Sequence, residues 1–477
     1  MLSSCLTPGF GNMLPLLKQY HGLEIYIVEN LGFQDTINLI TAELAESRPV
    51  VIELDTFICT WDPGYQKYHY PHTNLIVGYD EGERLFSLID CFYQKQELTI
   101  PSETCFSSEG NRLALFRRFS NPGPIDDWKK IITNAARRML AREQNENAFD
   151  QMRHFAAVLE QAPDLSEEFN HYEHIWMAPL LSMFNTISNG RRQFSTVLQY
   201  LQNQIGQDFT EMTNEFHYVA SQWSILLSMV TKAYYNSSDS GLLQRAANKL
   251  HLIAEKEEQI AIRLLDLCEE KRQNDLDSSK THEVTPVKEQ VKTQFVDLTE
   301  YYNNKGFDRS ISHESKADFT LMGDYFFAED WLGGQLRNNE GMTFSLPELS
   351  ESMRDNLSCA AQSLVIPEGY YSSLLIMGCS ECGNYSDRIE VLYADQSTAS
   401  IAIAFTDWQM EPIFGEKIVW TGKGVGRKHG QAKLMDSPVR LFAQSYPLDK
   451  SRKIKSMQLP DCPNLHIFAM TFIVEER

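Results

Sequence analysis

The spacing of hydrophobic positions changes along this chain, and each change marks a different kind of structure. Phe209, Met212, Phe216, Val219, Trp223, Leu226 and Val230 recur at steps of three and four, the period of one helix face. Leu250, Ile253, Ile260, Leu264 and Leu267 resume that period after the break YYNSSDSG at 234–241, so two long helices with a shared apolar core are expected. Further on, the period falls to two. Ile389, Val391 and Tyr393 alternate with polar residues, Asp395-Gln396-Ser397 supplies a turn, and Ile401, Ile403 and Phe405 alternate again. Strands are also expected near 363–366, 372–378, 416–420, 438–444 and 465–474, a density that predicts a β-sandwich of jelly-roll type. The first 125 residues mix both signals, a leading helix with the strand-like runs RPVVIELD, HTNLIVGYD and RLFSLID.

The pattern therefore predicts a multidomain α+β chain. Residues 1–125 form an α+β domain, 126–272 a helical domain and 293–477 the β-sandwich. Between the last two, QNDLDSSKTHEVTPVKEQVK at 273–292 lacks any apolar period and reads as a linker. Composition adds limits rather than detail. The 477 residues carry a formal charge of −21, which argues against nucleic acid and anionic membrane surfaces as partners. The nine cysteines are scattered, MLSSCLTPGF has no basic start or apolar core, and no apolar run reaches membrane-spanning length. A reducing cytoplasm is the expected setting, with free thiols.

One of those thiols changes the picture. Cys5, His72 and Asp90 follow one another in the order thiol, imidazole, carboxylate, the parts of a papain-like nucleophilic site. The runs beginning at His72 and ending at Asp90 read as a β-hairpin, with Gly82 in the left-handed position of a three-residue loop at Asp80–Gly82. Counting outward from that loop places His72 directly opposite Asp90, whereas a two-residue turn would put them on opposite faces. Pro15 fits a helix that begins near Asn12, because a first turn tolerates proline; Cys5 then lies in the segment before the helix.

These segments resemble the N-terminal domain of the butirosin biosynthesis protein H family, which is similar to the papain-like bacteriocin-processing peptidases. The resemblance rests on Cys5 with NMLPLLKQYHG, on His72 with LIVGYD, on Asp90 followed by CFY, and on the aromatic lead-in DTFICTWDPGYQKYHYPH. It covers roughly the first 125 residues and extends to the helical stretch after them, where Asn189-Gly190-Arg191-Arg192 resembles an Arg-bearing segment of the family. What it implies is a papain-like cysteine domain with Cys5, His72 and Asp90 as catalytic residues. It also implies transfer of an acyl or aminoacyl group from a carrier-protein thioester to a small amine acceptor, in bacterial antibiotic biosynthesis. Asp55, Trp61 and Tyr68 of the lead-in would meet substrate, and Arg191 and Arg192 of the segment NGRR would bind the phosphate of a phosphopantetheine arm. No other cofactor and no metal is expected. One departure is that the peptidases place a Gln several residues ahead of the nucleophile, whereas Met1-Leu2-Ser3-Ser4 precede Cys5 here. A peptidase or amidase with the same triad, and an inactive papain-like binding module, are the alternatives.

The runs ADFTLMGDYFFAEDW, MTFSLPEL, AAQSLVIPEGYYSSLLIMGCSECG, FTDWQ and LPDCPNLHIFAMTF resemble accessory β-sandwich domains of glycosidases and some biosynthetic proteins, which implies a galactose-binding-like fold. Trp331, Trp408 and Trp420 would serve there as sugar-stacking rings or as packing. Cys379 and Cys382 form a C-x-x-C without the second ligand pair that a structural zinc requires. His171, Glu173 and His174 read as surface.

Overall fold

The computed structural model describes residues 2–6, 13–62, 64–93, 95–105, 112–119, 128–142, 146–162, 164–172, 174–236, 241–269, 292–328, 333–338, 341–347, 353–428 and 431–474. Two compact units result. The smaller comprises Leu6–Ile131 and Glu167–Ser182; the larger comprises Met1–Cys5, Ile132–Ser166 and Met183–Arg477. No helix among the described residues is long and apolar enough to cross a membrane.

The smaller unit holds six antiparallel strands: β1 (Leu23–Val28), β2 (Val50–Asp55), β3 (Pro71–Asp80), β4 (Leu85–Asp90), β5 (Lys95–Pro101) and β6 (Leu113–Arg118). Their order in the sheet is β1-β6-β2-β3-β4-β5. Strict alternation along β2 and β4 sends Val50, Ile52, Leu54, Phe86, Leu88 and Asp90 to one buried face. Helix α1 (Met13–His21) carries Pro15 in its first turn, as a helix beginning near Asn12 would. Helix α2 (Phe33–Ala45) buries Ile37 and Ile40 in the same core as those strands. Its one buried carboxylate, Glu43, is gripped by Arg117 on both oxygens and by Arg48.

The larger unit combines helices and strands. After β6 the chain runs through helices α3 (Trp128–Leu140), α4 (Ala148–Glu160), α5 (Ser166–Phe169), α6 (Pro179–Ile205), α7 (Thr210–Tyr235) and α8 (Gly241–Glu269), of which Trp128–Ile131, Glu167–Phe169 and Pro179–Ser182 count with the smaller unit. α4 starts at a capping box in which Asn147 and Asp150 satisfy each other's backbone N–H groups. In α7 the stripe Phe216, Val219, Trp223, Leu226 and Val230 is buried, as its spacing predicts. The residues between the stripe positions are buried as well: Gln222, Ser228, Thr231 and Lys232. α6 runs unbroken through Asn189-Gly190-Arg191-Arg192. One glycine in a long helix costs about 1 kcal/mol against alanine, too little to end it.

From Thr293 onward the chain is strands, forming the C-terminal β-sandwich. The central strand Ser363–Ser380 pairs with Gln431–Pro447, Lys453–Gln458 and Leu465–Val474, all antiparallel. Tyr385–Tyr393 and Thr398–Phe405 form the predicted hairpin, in register Ile389 to Ile401. The polar residues of α7 and α8 meet the sandwich. Lys232 is ion-paired to Glu381 and donates to the Pro463 carbonyl at 2.7 Å; Gln222 donates to Asp387 at 3.1 Å; Arg245 Nε reaches Asp461 at 2.9 Å. Helices and sandwich, expected on either side of a linker at 273–292, thus share one compact unit; residues 273–291 lie outside the described residues.

Candidate active site

The hairpin that carries His72 and Asp90 forms, but not as counted from sequence. The loop has four residues, 81–84, and Arg84 rather than Gly82 takes the left-handed conformation, at φ 55°. Glu83 N–H donates to Asp80 Oδ1 at 3.0 Å to close it. Next to the loop, Asp80 pairs with Leu85, Tyr79 with Phe86 and Gly78 with Ser87. Continued unbroken, that register would put His72 and Asp90 on opposite faces. A β-bulge between Ile76 and Gly78 inserts Val77 and shifts the pairing to Ile76–Leu88 and Leu75–Ile89. Gly78 makes room for it, since a Cβ there would press on Ser87 at 3.3 Å. His72 is therefore diagonal to Asp90, on the same face, and one step beyond Leu75–Ile89 brings Asn74 opposite Asp90.

His72 Nε2 lies 2.7 Å from Asp90 Oδ2. The Asp90 side chain is fully buried and that of His72 is 12% exposed. Trp61 Nε1–H donates to the same Oδ2 at 2.8 Å, and Oδ1 accepts the backbone N–H groups of Phe92 and Tyr93, each at 2.9 Å. Four bonds fill the acceptor capacity of a carboxylate. Burial pushes the Asp90 pKa up, but the bonds from His72, Tyr93 N–H and Trp61 outweigh it, so the carboxyl is held below its ordinary value and stays ionised. An anionic acceptor at Nε2 fixes the proton there, leaving Nδ1 as the basic nitrogen. The rings of Phe92 and Tyr93 flank the imidazole at 6.1 and 5.6 Å.

The residues expected to bind substrate have other partners. Trp61, at the third position of the turn closed by Asp62 N–H to Cys59 C=O at 2.9 Å, is bonded to Asp90. Asp55 accepts from Phe57 N–H and sits 2.6 Å from His69 Nδ1, a second imidazole–carboxylate pair that no local pattern announced. His69 stacks on Phe57 with ring centroids 4.4 Å apart. Tyr68 packs against His174, so His174 belongs to the smaller unit's aromatic layer rather than to open surface. Asn74 is 2% exposed and neither of its amide atoms has a hydrogen-bond partner. Cys59 is close to Asp90 but unreactive: burial first, then the charges of Asp62, Asp90 and Asp55, push its thiol up to about 12. Its Sγ–H is directed at the Asp55 carbonyl, 3.4 Å away.

Cys5 ends a single 3-10 turn, Leu2–Cys5, whose Leu2 and Ser3 are buried; it counts with the larger unit, His72 and Asp90 with the smaller, and its side chain lies outside the described residues. Arg191 meets an internal partner, forking onto Glu257 at 3.0 and 2.7 Å, with Trp223 Nε1–H donating to the same carboxylate at 2.8 Å. The fork proposed for a phosphate is thus occupied within the bundle. Arg192 bonds Asn189 at 2.8 Å on the exposed side. Trp408 is 1% exposed, packed on Phe319 and Phe326, and Trp420 packs on Phe307 and Phe326, so both are packing rings; Trp331 lies outside the described residues. Cys379 and Cys382 are free thiols, and among the described residues no group of three or more His, Cys, Asp or Glu could hold a metal ion.

Residues 292–476 match the family model of the AziU2-like β-sandwich domain, a match that lies outside the segment carrying Cys5, His72 and Asp90. No curated protein matches the chain. Among solved structures, a family GH115 4-O-methyl-α-glucuronidase, BtGH115A, described as specific for decorated arabinogalactans, is 9% identical over 68% of this chain. This chain spans 38% of that enzyme, and the TM-score of 0.13 carries no argument about either fold or activity. By the family model, the C-terminal part is similar to an AziU2-like β-sandwich domain.

Proposed function

We propose that this chain is a thiol-dependent acyltransferase, papain-like in its N-terminal part, that moves an acyl or aminoacyl group from a carrier-protein thioester to an amine in secondary-metabolite biosynthesis. The observation that carries the reading is the buried His72–Asp90 pair at 2.7 Å, with its carboxylate held ionised and its imidazole tautomer fixed. Such a pair is the activating half of a nucleophilic site, and the sequence supplies the thiol in Cys5.

In this reading the Cys5 thiol gives its proton to His72 Nδ1 and the thiolate attacks the thioester carbonyl. The carrier sulfur leaves as a thiol, taking the proton back from the imidazolium, and the acyl group stays on Cys5. An amine then attacks the acyl-enzyme, His72 accepts the amine proton, and Cys5 departs as a thiol once that proton is returned. Asp90 stays anionic throughout and stabilises the imidazolium in both halves. Exchange of one thioester for another is nearly balanced in energy, so the site has chiefly to position its groups and exclude water.

The test is iodoacetamide labelling as a function of pH, with peptide mapping, in wild type and His72→Ala. Labelling of Cys5 below about pH 7 at least tenfold faster in wild type supports an activated thiol–imidazole pair. Cys59, with its thiol pushed up to about 12, stays unlabelled in the same maps. Equal labelling in both proteins, rising only near an ordinary thiol pKa of about 8.5, overturns the reading.

A further inference from the structure

Asp90 Oδ2 takes two hydrogen bonds, and only one of them comes from the imidazole. We propose that Trp61 is a positioning residue of the His72–Asp90 pair, its indole N–H occupying one side of Oδ2 so that the imidazole meets the carboxylate from a single direction and shares its charge. The proposal rests on the reading of His72 as the base.

The geometry supports this at each end of the bond. Oδ1 is pinned by two backbone N–H groups, which sets the plane of the carboxylate and the two directions in which Oδ2 accepts. One direction holds Trp61 Nε1 at 2.8 Å and the other His72 Nε2 at 2.7 Å. The indole is itself fixed. Its backbone sits in a hydrogen-bonded turn, its carbonyl accepts Lys95 Nζ at 2.9 Å, and its ring packs on the core of the smaller unit. An indole N–H does not titrate, so it donates to Oδ2 in every protonation state of His72.

A consequence for the base follows from charge sharing. Each donor on Oδ2 draws on the same negative charge, so the indole lessens what Asp90 lends to the imidazolium. Removing the indole N–H leaves the charge of Oδ2 to the imidazole alone and frees the ring to approach from either side. Among the described residues, the other titratable or charged groups around the pair are Tyr93 and Asp62, which are bonded to each other, together with Cys59 and Lys95. None of them donates to Oδ2.

The test is nitrogen-15 NMR of full-length protein labelled in histidine, with His72 assigned by loss of its signals in His72→Ala. In Trp61→Phe the His72 titration moves up by about half a pH unit or more, roughly threefold in protonation constant. Trp176→Phe, at an exposed indole of the same unit, leaves it unmoved. A second measurement needs no folded variant: in wild type, one indole N–H resonance shifts with the pKa of His72. A His72 titration that is the same in wild type and folded Trp61→Phe, or the absence of any indole signal that follows it, overturns the proposal. Neither readout involves Cys5. Failure of the thiol labelling therefore counts against the acyltransferase reading alone, and failure here against Trp61 alone.

Discussion

Asp90 is the residue on which the site depends. It has no exposed surface, so its charge is tolerable only because four donors surround it. Its pKa is below that of the unfolded carboxyl, so folding favours the ionised form. The stability it contributes is complete above about pH 4 and is lost as pH falls through the folded value. Urea unfolding of wild type and Asp90→Asn is expected to differ by on the order of 2 kcal/mol at pH 5, with the gap closing as pH falls below about pH 4. A gap that instead widens in acid would mean that Asp90 is protonated in the folded protein. The carboxylate and its imidazole could be read from sequence because hairpin order brings them close. The indole could not, because Trp61 reaches Oδ2 from a turn 29 residues upstream, and nothing in TWDPG indicates where its N–H points.

At the scale of one element, the hairpin was recognisable while its register was not. HTNLIVGYD is apolar at Leu75, Ile76 and Val77 in succession, so alternation gives no sign of which residue is the extra one. A four-residue loop and one bulge together displace the expected pairing by an even number of residues, which preserves the face but makes the contact diagonal. Deleting Val77 removes the extra residue and leaves a regular ladder in which His72 still faces Asp90. Deleting Thr73 instead turns His72 to the other face. Fast, His72-dependent labelling of Cys5 is expected to survive the first deletion and to fall at least tenfold in the second; the reverse ranking would show that the bulge does not set the register. Elsewhere, elements with a clear period were legible from sequence. The stripe of α7, the strands at 385–405 and the proline in the first turn of α1 all lie where their spacing puts them.

For the whole molecule, the sequence separates helices from strands but misses that they are one body. The reason lies in α7. Its polar side, Gln222, Ser228 and Lys232, has the character of a solvated helix face, yet it is buried against Asp387, Asn464 and Glu381 of the sandwich. Hydrophobic periodicity detects apolar contact surfaces and is blind to one made of matched charges. Lys232→Met leaves Glu381 buried without its counter-ion and is expected to cost about 3–5 kcal/mol. The double variant Lys232→Met, Glu381→Leu should recover most of that loss, because no orphaned charge remains. Far-ultraviolet signals from the helices and near-ultraviolet signals from Trp408 should then change together on heating, in wild type and in both variants. Two separated transitions would show the junction to be incidental.

That junction has a consequence for heredity. A gene fusion that carried off residues 292–476 would take Glu381, Asp387 and Asp461 and leave behind Lys232, Lys249 and Arg245. The transplanted piece would arrive with an acidic scar where its neighbour had been. Freed of the helices, the three carboxylates would meet water, where charge is cheap to keep, so the move would cost the sandwich its partner rather than its solubility.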